Sequence, residues 1–160
     1  PDTGDIFDHF FIEYEYADGT KLNSQIRHIE GTWNKGGAYF YGSKGTASLQ
    51  AGIRDSEGER IWRNPNKDSE SAYQIEHDVF FDAIRNNKPL NDTEWGAMST
   101  MTSIMGRMAV HSGKMVEWDE ALNSELVLAP MQLDWDSDPP VKPDKNGNYP
   151  IPSPGQSKIL

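Results

Sequence analysis

The sequence predicts an α+β domain: an open-faced, mostly antiparallel β-sheet with two amphipathic helices packed on one face and a Pro-rich extended C-terminal arm. Three observations predict it. Short segments of alternating character, joined by Gly-containing turns, fill residues 6–63. Two segments of helical period follow, over about 72–86 and 93–112. Seven of the ten prolines then fall after residue 129, where a packed helix or central strand could not hold them. Residues 1–125 are therefore read as the α+β domain and 126–160 as the arm.

Residues 6–16 place Phe10, Ile12, Tyr14 and Tyr16 on one face of a strand, with Glu13 and Glu15 on the other. This period of two marks a half-buried strand. Asp18-Gly19 is a hairpin turn signal, because Gly takes positive φ without steric cost. Residues 21–30 return as the second strand, with Leu22 and Ile26 on its apolar face. Gly31 to Gly37 reads as a loop. Short strands at 38–41, 46–50, 52–55 and 59–63 form an antiparallel meander. The polar run 64–71, with Pro65, is a loop.

In the first helix Ile75, Val79, Phe80, Ala83 and Ile84 form one stripe, ended by Asn86-Asn87-Lys88-Pro89. In the second, Ala97, Met98, Met101, Ile104, Met105 and Met108 form the stripe. Asn91 or Asp92 caps its start, and Ser112-Gly113 ends it. Residues 114–118 are expected to add a strand and 119–124 a short helical turn. In the arm, Leu126, Leu128, Met131, Leu133 and Trp135 supply apolar side chains, expected to lie on the domain or on a neighbouring subunit.

Composition narrows the function. A chain of 160 residues can bury a core without staples, and it has no cysteine, so disulfide frameworks and thiolate zinc sites are excluded. Absence of cysteine fits either side of a membrane. Fifteen Lys+Arg against 25 Asp+Glu give a net charge of −10, which repels phosphate backbones and anionic lipid. No nucleic-acid partner is expected. No apolar run reaches the ~20 residues of a membrane span, so no membrane insertion is expected either.

Chemistry-bearing motifs are sparse. No G-x-G arrangement is present, so the dinucleotide fingerprint is missing. Gly31 and Gly36 have phosphate-loop spacing, but Gly37 stands where Lys is required. Gly42-Ser43-Lys44-Gly45-Thr46 is read as a plain turn. His9, His28, His77 and His111 form no ligand pair. His28, on the apolar face, is read as a core histidine, and His77 as packing one turn before Phe81. Asp134 to Asp138 imitates the start of a calcium loop, but Pro139 and Lys145 occupy the positions of its Gly and Glu. The sequon Asn91-Asp92-Thr93 has no supporting context. Glu13 and Glu15 are read as solvated carboxylates rather than an acid/base pair. One constellation suits a hydroxyl-rich ligand. Asn23, Gln25 and Arg27 share the polar face of the second strand, and Trp33 and Asn34 follow in the loop. Amide and guanidinium groups offer fixed donors and acceptors, and indole offers a flat apolar platform. A polar subunit interface or open solvent accounts for the same residues.

The segments 6–22 (IFDHFFIEYEYADGTKL), 24–34 (SQIRHIEGTWN), 42–49 (GSKGTASL), 76–92 (EHDVFFDAIRNNKPLND) and 101–124 (MTSIMGRMAVHSGKMVEWDEALNS) together resemble the C-terminal domain of the Gfo/Idh/MocA oxidoreductases. Tyr149-Pro150 and Pro154-Gly155 resemble the tail of one bacterial branch of that family. The resemblance implies a parent enzyme whose N-terminal Rossmann domain binds NAD or NADP. It implies a C-terminal sheet that builds a homodimer or tetramer on one face and helps hold a sugar or polyol at one edge. The family's catalytic Lys and His belong to segments upstream of Ile6, so no catalytic or cofactor-binding residue is expected here, and His9 does not match. A start at Pro1 and the missing G-x-G fit a chain that lacks its Rossmann half. Matching members often carry an export signal, which leaves cytoplasm and periplasm both compatible. Hydride transfer needs a bound nicotinamide and an acid/base, so this polypeptide alone is expected to be inactive. The main rival is a non-enzymatic carbohydrate-binding or assembly module derived from that family. A hydrolase using Glu13 or Glu15 is a third reading.

Overall fold

The structure is a computed structural model that describes residues 6–49, 51–63, 65, 71–130 and 132–157. Met131 and most of the loop expected at 64–71 lie outside the described residues. The fold is α+β, with open antiparallel sheets. In chain order the elements are β1 (His9–Glu15), β2 (Lys21–Arg27), β3 (Tyr39–Gly42), β4 (Gly45–Ser48), β5 (Gly52–Asp55), β6 (Arg60–Trp62), α1 (Ala72–Arg85), α2 (Thr93–Ser112) and α3 (Trp118–Leu122). The strands form two sheets rather than the single one expected: a β1-β2 hairpin and a β3-β4-β5-β6 meander. The chain divides into two units, one of Pro1–Glu30 with Asp92–Leu160, the other Gly31–Asn91.

In the first unit the hairpin turn is built as its sequence dictates. Gly19 takes φ 82°. The Asp18 carboxylate accepts the Thr20 N–H at 2.9 Å, and the Gly19 N–H donates to the Tyr16 carbonyl at 2.8 Å. The resulting register pairs Phe10 with Ile26, Ile12 with Ser24 and Tyr14 with Leu22. That face of β1 packs on α2. Gly106 makes the approach possible, because a Cβ there would overlap the Tyr14 hydroxyl and stand 2.8 Å from Ile12 Cδ1. The Tyr14 hydroxyl donates to the Thr102 carbonyl at 3.2 Å. Burial pushes the Tyr14 phenol above its ordinary value, and Tyr16 adds to the shift.

Behind α2, Met108, Val116 and Ala121 form a buried cluster, with Met101, Met105 and Ala109 packed against it. The working stripe of α2 is thus Met101, Met105, Met108 and Ser112, at i, i+4, i+7 and i+11. Met98 and Ile104, expected in that stripe, are exposed. His111 is buried and meets the Phe7 ring edge-on at 5.2 Å. The helix ends where Gly113 turns left-handed and donates to the Ala109 carbonyl at 2.8 Å. Asp92 stands at the start of α2 but makes no side-chain cap.

Residues 114–118 do not form the expected strand. Val116 is buried in the α2–α3 cluster, Glu117 becomes the residue before α3, and Trp118 opens that helix. Val116 is drawn into the cluster while Met115 is exposed, an alternation with no ladder beside it. The arm carries turns but no helix or strand among its described residues. Its far end is tied down where the Gly155 N–H donates to the Ser112 carbonyl. Leu128, Leu133 and Trp135 stay exposed.

In the second unit, Gly45 and Gly52 let neighbouring strands of the meander close up. A Cβ on either would overlap a carbonyl of the adjacent chain segment, that of Arg54 or of Trp62. This gives the Gly42–Gly45 turn a structural explanation. Of the two helices expected on one sheet face, α2 covers the hairpin of its own unit. Helix α1 buries no residue and packs on no strand of its unit. Its stripe of Ile75, Val79, Phe80 and Ile84 is open among the described residues. Every residue of β3 and β6 is likewise exposed.

Gly106→Ala is expected to destabilise the chain by about 1–3 kcal/mol, because overpacking outweighs the better helix propensity of Ala. Combining it with Tyr14→Phe, which removes the colliding hydroxyl, should cost less than the two single changes summed. Urea unfolding of the four proteins measures both effects.

Candidate functional site

The residues with binding chemistry gather on the face of the β1-β2 hairpin opposite α2. The register sets Asn23 across from Glu13, Gln25 across from Phe11, Arg27 across from His9 and Lys21 across from Glu15. All eight side chains are on that face, because the pleat alternates and their partners Phe10, Ile12 and Tyr14 face α2. All eight are exposed. Three of the five sequence-selected residues, Asn23, Gln25 and Arg27, therefore stand in one row at two-residue spacing. Trp33 and Asn34 belong to the second unit.

Phe11 is the residue that motif reasoning missed. It is 57 % exposed and lies directly opposite Gln25, so it sets a flat apolar surface in this row. The signal was present in the alternation, since Phe11 shares its parity with Glu13 and Glu15.

Charge on this face is locally paired. Lys21 donates to Glu13 at 2.6 Å and lies 3.4 Å from Glu15. The hydrogen bond to Glu13 leads, with Glu15 adding, in holding the Lys21 ammonium above its usual value. Two carboxylates sharing one ammonium at an exposed site suit a structural clamp better than an acid/base pair. His9 is exposed and bonds Asp8 at 2.6 Å. His28, expected in the core, is exposed because the strand ends at Arg27 and leaves it beyond the packed face. His77 bonds the Tyr73 carbonyl at 2.7 Å and lies 6.5 Å from Phe81, as its helical spacing predicts.

The described residues contain no cluster of three or more His, Asp or Glu able to hold a metal ion. They do not fit a dinucleotide either. Every described strand pair is antiparallel, and no described strand runs through a Gly-rich turn into a helix, which is how a pyrophosphate is cradled. No described helix is long and apolar enough to cross a membrane. Comparison of the chain with protein-family models, with curated proteins and with solved structures finds no match.

Glu13→Gln is expected to move the Lys21 titration down toward the ordinary lysine value. The sign follows from linkage: a raised Lys pKa contributes stability below the unfolded value, near ~10.4, and that contribution is lost as pH rises through the folded value. Carbon-detected NMR titration of the Lys21 side chain reads the shift directly, apart from the Tyr14 phenol that titrates in the same alkaline range.

Proposed function

We propose that this chain is the substrate-side and oligomerisation domain of an NAD(P)-dependent oxidoreductase acting on a sugar or polyol. The observation that carries the sugar side is the exposed row Asn23, Gln25 and Arg27 with Phe11 set against Gln25. A sugar ring offers an apolar C–H face and a rim of hydroxyls. An aromatic ring flanked by amide and guanidinium groups meets both. The oxidoreductase side rests on the resemblance to the Gfo/Idh/MocA C-terminal domain, with which an α+β fold of open antiparallel sheets agrees. In this reading NAD or NADP and the proton acceptor are held by other polypeptide of the enzyme. The residues described here bind and orient the substrate.

The oligomerisation side is supported by apolar surface. A stripe such as that of α1, left in water, forgoes the hydrophobic gain of covering it. We place the homo-oligomer contact there. A second reading, a carbohydrate-binding or assembly module without catalysis, draws on the same hairpin face and on the lack of any fit to a dinucleotide.

Titration with glucose and with myo-inositol is expected to shift the Asn23 and Gln25 side-chain amides and the Phe11 ring at millimolar ligand, with Phe11→Ala weakening binding by roughly tenfold. Absence of any shift on this face removes the sugar side of the proposal. Given NAD(P) and a polyol, the chain alone is expected to leave nicotinamide absorbance unchanged, and turnover would overturn the assignment of roles. Sedimentation should show a dimer or larger species that Val79→Asp dissociates.

A further inference from the structure

The hairpin has an open edge with a cleft beside it. The Asp8 carbonyl accepts the His28 N–H, and the Tyr16 N–H donates to the Thr20 carbonyl. With an unbroken register between them, the even-numbered residues of β1 turn their backbone groups toward β2. The N–H and C=O groups of Phe11, Glu13 and Glu15 therefore point away from β2, and among the described residues no backbone partner meets them. An open cleft of about 820 Å³ runs along this side. It is lined by every residue from Phe10 to Ala17 and by none of β2, which puts it on the free edge of β1. Helix α2 and the unladdered segment 113–118 form the rest of its lining.

We infer that this cleft receives an extended peptide strand from a partner polypeptide, apolar on the residues facing α2 and cationic on the alternate ones. Donors and acceptors repeating every second residue match the period of a β-ladder. On the α2 side the occupant meets Ile12, Met105, Ala109 and Val116. On the other side it meets Glu13 and Glu15, which share a single lysine, Lys21; Glu117 and Lys114 also line the cleft, so its carboxylates outnumber its ammonium groups. Cationic side chains opposite these carboxylates make favourable cross-strand pairs. The inference shares Glu13 and Glu15 with the hairpin face of the sugar reading, but rests on the backbone edge, which that reading does not use.

The test uses a fluorescent heptapeptide of alternating Val and Lys, titrated into the full chain and followed by anisotropy, with NMR amide exchange at Phe11, Glu13 and Glu15. Saturable binding is expected, with exchange at those three amides slowed by at least about tenfold. The Glu13→Gln/Glu15→Gln double variant should bind roughly 2- to 30-fold more weakly. A fully N-methylated peptide, which cannot ladder, should not bind. Equal binding of the methylated peptide would reduce the effect to general attraction by an acidic surface and overturn the inference. So would slow exchange of the three amides before peptide is added. The chain has no cysteine, so Phe11→Cys gives a clean second readout. Rapid disulfide formation between two such chains would show the edge occupied by a second copy and overturn the partner-strand assignment.

Discussion

The seating of β1 on α2 through Gly106 is the contact on which the first unit depends. A two-stranded hairpin is marginal in water by itself. Here it gains a covered face because one helix position lacks a Cβ, letting Tyr14 and Ile12 come down onto the helix. The Tyr14 hydroxyl then finds the Thr102 carbonyl, so the polar tip of a half-buried ring is satisfied. On its other side α2 holds the Met108, Val116 and Ala121 cluster, which fixes α3 and the segment leading to it. One helix thus organises both the hairpin and the C-terminal elements, and the hairpin's free face and free edge follow from where that helix sits.

That placement gives the hairpin two exposed surfaces of different chemistry. The face away from α2 offers side chains, amides and guanidinium around an exposed aromatic ring. The edge away from β2 offers backbone groups at ladder spacing beside a cleft. The first chemistry suits a small hydroxylated molecule, the second an extended chain. Lys21, held between Glu13 and Glu15, offsets part of the negative charge there.

Apolar surface is distributed unevenly between the units. The first unit buries Met108, with Met101 and Met105 packed against it. The second leaves the α1 stripe and the aromatic residues of β3 uncovered among the described residues. Tyr39, Phe40 and Tyr41 are aromatic on both faces of the strand, and all three are exposed.

The sequence by itself determined the local structure. Asp18-Gly19 set the turn and thereby the β1-β2 register, Gly113 ended α2, and alternation and helical period placed every strand and both long helices close to their observed bounds. Local backbone preferences and side-chain period act over a few residues, so they are readable without the fold. Tertiary packing decided the rest. It buried Val116 in a helix cluster and denied 114–118 a ladder, split the strands into two sheets, left α1 uncovered and put His28 in water. It also set Phe11 opposite Gln25, because cross-strand pairing joins residues fourteen apart in sequence. Whether an apolar or polar side chain is covered depends on which distant surface reaches it first, and a single chain's periodicity carries no record of that competition.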